Sequence, residues 1–249
     1  MFSVKNRIDG NNSNNYLVGN NTPIIDVEGN IEPADDAIYG YGGNDTLLGR
    51  GGDDDLFGGN GNDLLRGGDG ADRLYGGNQN DKLYGDNGND RLSGQKGNDL
   101  LYGGDGNDSV YGGDGDDVVL GQKGNDTLTG SFGDDYLAGG AYGNGLSGYD
   151  MVTGGSGADS FSLQSNSFNH YLGNGYATIT DFSSIENDKI LVGDYGVNND
   201  NYYSLGTGNW GGSNALDSAI YFQGDLVARV YDDVISLSSD VKYIPYIAG

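Results

Sequence analysis

Residues 40–147 read GYGGNDTLL GRGGDDDLF GGNGNDLLR GGDGADRLY GGNQNDKLY GDNGNDRLS GQKGNDLLY GGDGNDSVY GGDGDDVVL GQKGNDTLT GSFGDDYLA GGAYGNGLS, twelve nine-residue copies without a gap. Position one is Gly in every copy, from Gly40 and Gly49 to Gly139. Position six is Asp45, Asp54, Asp63, Asp72, Asp81, Asp90, Asp99, Asp108, Asp117, Asp126 and Asp135 in turn, with Asn144 in the last copy. Position eight is always aliphatic, from Leu47 and Leu56 to Val110, Val119 and Leu146. Three registers held over 108 residues mark a stacked repeat, in which each unit buries its apolar face only against its neighbours.

Each copy has a three-residue tail such as Thr46-Leu47-Leu48, too short for a helix and too regular for a loop. It predicts a short strand whose middle side chain points inward and whose flanking side chains point outward. The six residues before it are mostly Gly, Asn and Asp, which tolerate the left-handed conformations of a tight reversal. Two copies then make an 18-residue coil, and successive coils stack as parallel strands ~4.8 Å apart. The expected fold is all-β, a parallel β-roll.

Stacking creates an electrostatic problem. Asp45 falls above Asp63, Asp81, Asp99 and Asp117 on one edge, and Asp54 above Asp72, Asp90, Asp108 and Asp126 on the other. Carboxylates at that pitch repel by about 3 kcal/mol per pair at an effective dielectric of 20. A hard divalent cation between coils reverses the sign, drawing carboxylates from two turns together with main-chain carbonyls. Calcium suits this better than magnesium, because it accepts six to eight oxygens in flexible geometry.

The whole composition agrees. The chain has 249 residues, 37 acidic against 12 basic, for a net charge of −25, so nucleic acid and anionic lipid are poor partners and a cation is a natural one. Gly supplies 49 residues but Pro only three, without a period of three, which excludes a collagen-like chain. There is no Cys, hence no disulfide or thiolate metal site. No stretch approaches the ~20 apolar residues of a membrane helix, and the start, MFSVKNRIDG, lacks the apolar run of a signal peptide.

The phrase resembles the GGxGxDxUx nonapeptide of repeats-in-toxin (RTX, haemolysin-type) proteins. Gly103-Gly104-Asp105-Gly106-Asn107-Asp108-Ser109-Val110-Tyr111 matches every fixed position. The resemblance implies a right-handed, calcium-bound β-roll with a row of ions along each turn edge. Their ligands would be carbonyls of the Gly-rich loops and the sixth-position acids listed above. Asp36, Asp150 and Asp159 hold the same place in the flanking copies. About ten ions follow from one per pair of stacked turns. It further implies export without a cleaved N-terminal signal, through a type I system reading the C-terminus, and folding on meeting extracellular calcium.

Departures are visible. Gln79 replaces a fourth-position Gly, and Asp86, Gln95, Gln122 and Ser131 replace second-position Gly. Tyr142 and Asn144 weaken the twelfth copy, and a shortened unit, Gly148 to Thr153, precedes a good one at Gly154–Ser162, so ion occupancy is expected to falter near 140–152. Residues 1–39 carry degraded copies, with Leu17 two places after Asn15 and Ile38 two after Asp36, and read as an N-terminal cap. The roll is assigned to 40–163. The remainder, 164–249, reads as a β-rich cap with a secretion-signal region, with strands at Thr178–Phe182, Lys189–Val192, Ala219–Phe222 and Leu226–Val230, the last two joined by a short Gly224-Asp225 turn. Its TITDF, GNWGGS and DSAIYF phrases are similar to the segment following RTX repeats in cyanobacterial exoproteins. Asp181 and Asp188 fit either a further ion or plain turn acids.

Strand flanks divide the roll. One face carries Leu48, Leu64, Tyr84, Leu100, Tyr102, Val118, Leu120 and Tyr136. The other carries Asp55, Arg73, Arg91, Ser109, Thr127 and Thr129, with only Phe57, Tyr75 and Tyr111 as large rings. An apolar stripe marks a covered surface or an interface, and cover by the C-terminal region and self-association account for it equally. Catalysis is poorly served: His170 is the single histidine, there is no G-x-S-x-G and no P-loop lysine, and Trp210 reads as a packing anchor. The expectation is a non-enzymatic, secreted calcium-binding structural protein of the cell surface that self-assembles into a sheath, layer or filament. The alternative is a monomeric calcium-dependent secretion and folding module or adhesin.

Overall fold

The computed structural model describes residues 6–19, 24–25, 31–32, 35–140, 148–162, 176–183, 188–194, 203–208, 217–222, 225–230 and 241–245. They belong to two compact units, Met1–Val118 and Val119–Gly249. The described residues are all β, without a helix, and their strands form a parallel β-solenoid consistent with a β-roll.

In the first unit two parallel sheets alternate along the chain. One contains Asn6–Asn11, Asp36–Gly42, Asp55–Asn60, Arg73–Asn78, Arg91–Lys96 and Ser109–Asp114, side by side in that order. The other contains Tyr16–Val18, Thr46–Gly51, Leu64–Asp69, Lys82–Asn87 and Leu100–Asp105. Register is fixed by the eighth position: Ile38 pairs with Leu56, Leu47 with Leu65, and Leu83 with Leu101. These side chains form a single inward row, with Leu47, Leu56, Leu65, Leu74, Leu83 and Leu101 fully buried. Burying each stabilises the coil by roughly 1.5–3 kcal/mol.

Strands run to six residues rather than three, because the chain stays extended through the position-one glycine and into positions two and three, as in Thr46–Gly51. The reversal that follows needs φ near +134° at Gly61 and +138° at Gly88, where a side chain would collide with the coil before. The departures from the repeat keep this backbone. Gln79, Asp86, Gln95, Gln122 and Ser131, together with Tyr41 and Arg50, hold φ between +74° and +101°. For non-glycine residues that conformation costs about 1–2 kcal/mol each.

The degraded N-terminal copies are structured as coil. Ile38 is fully buried, and Tyr16, Leu17 and Val18 pair with Thr46, Leu47 and Leu48.

The second unit keeps the inward row but lengthens the path between strands. Leu128 pairs with Val152 and Val152 with Ile179, while Leu137 pairs with Phe161 and Phe161 with Ile190. Hydrogen-bonded partners that lie 18 residues apart in the first unit are here 24 to 29 apart. Large rings fill the wider interior, with Phe161 against Phe182 at 6.2 Å between centroids. Asp217–Phe222 and Asp225–Val230 form an antiparallel pair, and Tyr203–Gly208 adds a further antiparallel strand. Lys189–Asp194 pairs in parallel with Val241–Pro245. Tyr142, Asn144, His170 and Trp210 lie outside the described residues.

Candidate metal centre

Each sixth-position Asp sits where the turn re-enters the strand, and the coil above places its counterpart directly over it. Two columns result, as the spacing predicts, but the carboxylates are buried beneath main chain rather than standing on an open edge. Asp36, Asp45, Asp54, Asp63, Asp72, Asp81, Asp90, Asp99, Asp108, Asp117, Asp126, Asp135, Asp150 and Asp159 are all at most 3% exposed.

One oxygen of each carboxylate holds the coil before it. The main-chain N–H of Asp45 donates to Oδ1 of Asp63, that of Asp63 to Asp81, and that of Asp81 to Asp99, each at 2.7 Å. The opposite column repeats this from Asp36 to Asp54 (2.6 Å) and from Asp72 to Asp90 (2.8 Å). In the second unit Asp126 donates to Asp150 and Asp135 to Asp159, both at 2.9 Å.

The other oxygen is the anomaly. Oδ2 of Asp45, Asp63, Asp81, Asp90 and Asp99 is buried and makes no hydrogen bond. A buried carboxylate oxygen without a partner is costly, and it has two remedies, a proton or a cation. Burial pushes the acids of the two columns toward the first: Asp63, Asp90 and Asp99 rise to about 6, Asp108 to about 7 and Asp81 to about 8. Hydrogen bonds from the preceding coil's main chain oppose the rise, and the neighbouring carboxylates Asp63 and Asp99 add to it at Asp81. At neutral pH a cation is the remedy that keeps the charge.

The oxygens around the orphan fit one. A methyl group at Gly58 would lie 2.5 Å from Oδ2 of Asp63 and 2.6 Å from the carbonyl oxygen of Gly76 on the next coil. A carboxylate oxygen of one coil and a carbonyl of another thus converge beside a position that only Gly can occupy. Among the described residues no three acidic or histidine side chains form a metal cluster, so a site here draws much of its shell from main-chain oxygens. All-oxygen donors of this mixed kind suit calcium.

A second column runs beside the first, built on the Asn or Asp that stands at position five of almost every copy. Its side-chain oxygens accept from the following coil, so it runs against the sixth-position column. The N–H of Asn62 donates to Asn44, that of Asn80 to Asn62, and that of Asn98 to Asn80, each at 3.0 Å. The N–H of Ala71 donates to Oδ1 of Asp53 at 2.8 Å, but Ala71 has no side-chain oxygen to accept from the coil that follows.

Asp181 and Asp188 are not further ladder members with an open oxygen. Asp181 accepts from the N–H groups of Gly154 and Gly155, both at 2.8 Å. Asp188 accepts from Asp159 at 2.9 Å and Ser183 at 2.8 Å. With both oxygens taken by N–H donors, they are turn acids.

The apolar face needs correction too. Leu120 is only 5% exposed and is not part of an open surface, and Ala138 in the same outward column is equally buried. Leu48, Leu64, Tyr84, Leu100, Tyr102, Val118 and Tyr136 are half-buried, because outward side chains lean on their counterparts one coil away, as Tyr84 stacks on Tyr102 at 4.9 Å. The sheet read as polar carries its own ring stack, Tyr39 on Phe57 at 4.8 Å and Phe57 on Tyr75 at 5.1 Å. Its Tyr111 is more exposed than any of the seven.

A family model described as the RTX calcium-binding nonapeptide repeat (4 copies) matches residues 33–65, 48–83, 57–92, 84–119, 111–141 and 143–164, together more than half of the chain. No curated protein matches the sequence.

Proposed function

Because the chain belongs to the RTX calcium-binding nonapeptide-repeat family, we propose that it is a secreted calcium-binding structural protein of the cell surface or extracellular matrix. It folds when calcium binds and then associates with further copies of itself. The single observation that carries the calcium part is the set of buried carboxylates, Asp45, Asp63, Asp81, Asp90 and Asp99, whose second oxygen has no hydrogen-bond partner. Asp36, Asp45, Asp54, Asp63, Asp72, Asp81, Asp90, Asp99, Asp108, Asp117, Asp126, Asp135, Asp150 and Asp159 are the proposed side-chain ligands, for about ten ions by the repeat architecture. The role is non-enzymatic.

Self-association is supported by half-buried apolar rows in the first unit, Leu64, Tyr84, Leu100 and Tyr102, and by exposed Tyr111. The burial of Leu120 favours the second reading, a calcium-folded monomer serving as a secretion module or adhesin. Light scattering on the calcium form across a wide concentration range separates the two. Assembly predicts growth in mass that the L100S/Y102S double variant abolishes while keeping its calcium-induced β signal. A wild-type chain that stays monomeric at every concentration overturns self-assembly and leaves the module.

A further inference from the structure

Two glycine-rich turns of the first unit present a reactive dipeptide to solvent, Asn60-Gly61 and Asn87-Gly88. An asparagine followed by glycine is the dipeptide most open to spontaneous deamidation, because no side chain shields the attacking main-chain nitrogen. The geometry points to Asn60 and Asn87 as modification sites whose reactivity is switched by folding: blocked while the coils are stacked, released when they separate. This rests on the calcium-dependent folding proposed above.

The reaction needs only water. The nitrogen of Gly61 attacks Cγ of Asn60, an N–Cγ bond closes a five-membered succinimide, and the side-chain nitrogen departs as ammonia, carrying the proton given up by the Gly61 amide. Water then opens the ring at either carbonyl and leaves aspartate or isoaspartate. The same steps apply to Asn87 and Gly88.

Stacking obstructs this at both reacting atoms. The nucleophile is engaged, since the N–H of Gly61 donates to the carbonyl of Asn78 (3.2 Å) and that of Gly88 to the carbonyl of Asp105 (2.7 Å). The electrophile is engaged as well. Oδ1 of Asn60 accepts from Nδ2 of Asn78 at 2.8 Å, and Nδ2 of Asn87 donates to Asp69 at 2.7 Å. Each asparagine is also the last residue of a strand, Asp55–Asn60 or Lys82–Asn87, held extended by pairing with the next coil. Ring closure requires these bonds to open, so the folded-state rate is scaled down by the population of the open form. Exposure does not protect them, as both side chains face water.

The product matters for the fold. Isoaspartate adds a methylene to the main chain inside a turn whose length sets the 18-residue register, and aspartate at position 87 replaces a donor with a charge facing Asp69. A chain kept long without calcium therefore records that time as damage at these two turns.

The test incubates the full-length chain in mildly alkaline buffer with calcium, with chelator, and with urea, following circular dichroism and mapping deamidation peptide by peptide. At least a tenfold faster conversion of Asn60 and Asn87 is expected in whichever arms are unfolded, the ratio reflecting the opening equilibrium. Asn62-Asp63 and Asn89-Asp90, next in sequence but lacking the following glycine, should lag in every arm. If the chelator arm stays β-rich and protected while urea releases both sites, folding protection stands and the calcium reading fails. Equal rates at Asn60 and Asn87 in the folded and unfolded arms overturn the inference.

Discussion

The coils of the first unit and the end of the second unit's column solve one problem in two ways. In the coils up to Val118, carboxylates recur every 18 residues, each with one oxygen holding the coil before it, and at Asp45, Asp63, Asp81, Asp90 and Asp99 the other oxygen lacks a hydrogen-bond partner. In the second unit the spacing widens to 24 and 29 residues, and Asp188 ends its column with both oxygens satisfied by N–H groups. The same side chain is thus a demand for a cation in one setting and a self-sufficient turn acid in the other. The difference lies in whether the local chain supplies a second donor, as Ser183 does for Asp188.

Replacing one carboxylate of each kind gives the largest separation. Asp81→Asn keeps an acceptor for the N–H of Asp63 and removes a buried charge, so it should stabilise the calcium-free chain and move the calcium midpoint upward. Asp188→Asn loses one of two N–H partners and should cost roughly 1–3 kcal/mol with or without calcium. Denaturant titration of both variants in calcium and in chelator measures this, and identical calcium responses would erase the distinction.

A pH effect of intermediate size follows from the same acids. Their folded values of about 6 to 8 lie above the ordinary 3.8. Without calcium, protonation therefore favours the folded coils, a contribution complete below the unfolded value and lost as pH rises through 6 to 8. Acidifying the chelated protein should restore β signal over that window. In calcium the sign reverses, because protons compete for the ligands and affinity should fall as pH drops through the same range. A chelated chain equally unfolded at pH 4 and pH 8 would contradict the burial argument.

The smallest expected effect concerns backbone strain. Gln95→Gly relieves a φ of +78° and should raise the melting temperature in calcium by roughly 2–4 °C, on the order of 1 kcal/mol. A fall instead would show that the Gln95 side chain stabilises its turn.

How far this could be read in advance depended on which atoms decide each feature. The inward row from Leu47 to Leu137 and the two Asp columns follow from periodicity alone, since stacking a fixed repeat leaves one place for each residue. The cap strand at Tyr16–Val18 was legible for the same reason, through Leu17 two places after Asn15. The fate of Asp181 and Asp188 was not, because it turns on N–H donors at Gly154, Gly155, Asp159 and Ser183 that no side-chain pattern encodes. The fifth-position column was visible as a run of Asn and Asp, but its direction is a main-chain property. For the apolar face, alternation places Leu120 outward but is silent on whether it is covered, and its burial is a tertiary property.

The central claim is that the buried carboxylates of the first unit require a cation to fold at neutral pH. Far-ultraviolet circular dichroism of the full chain, titrated with calcium after chelation, tests it most directly. The account predicts a disordered spectrum in chelator that becomes β-rich, cooperatively, at about 10⁻⁴ to 10⁻³ M calcium. A β-rich spectrum unchanged by chelation at neutral pH would contradict it.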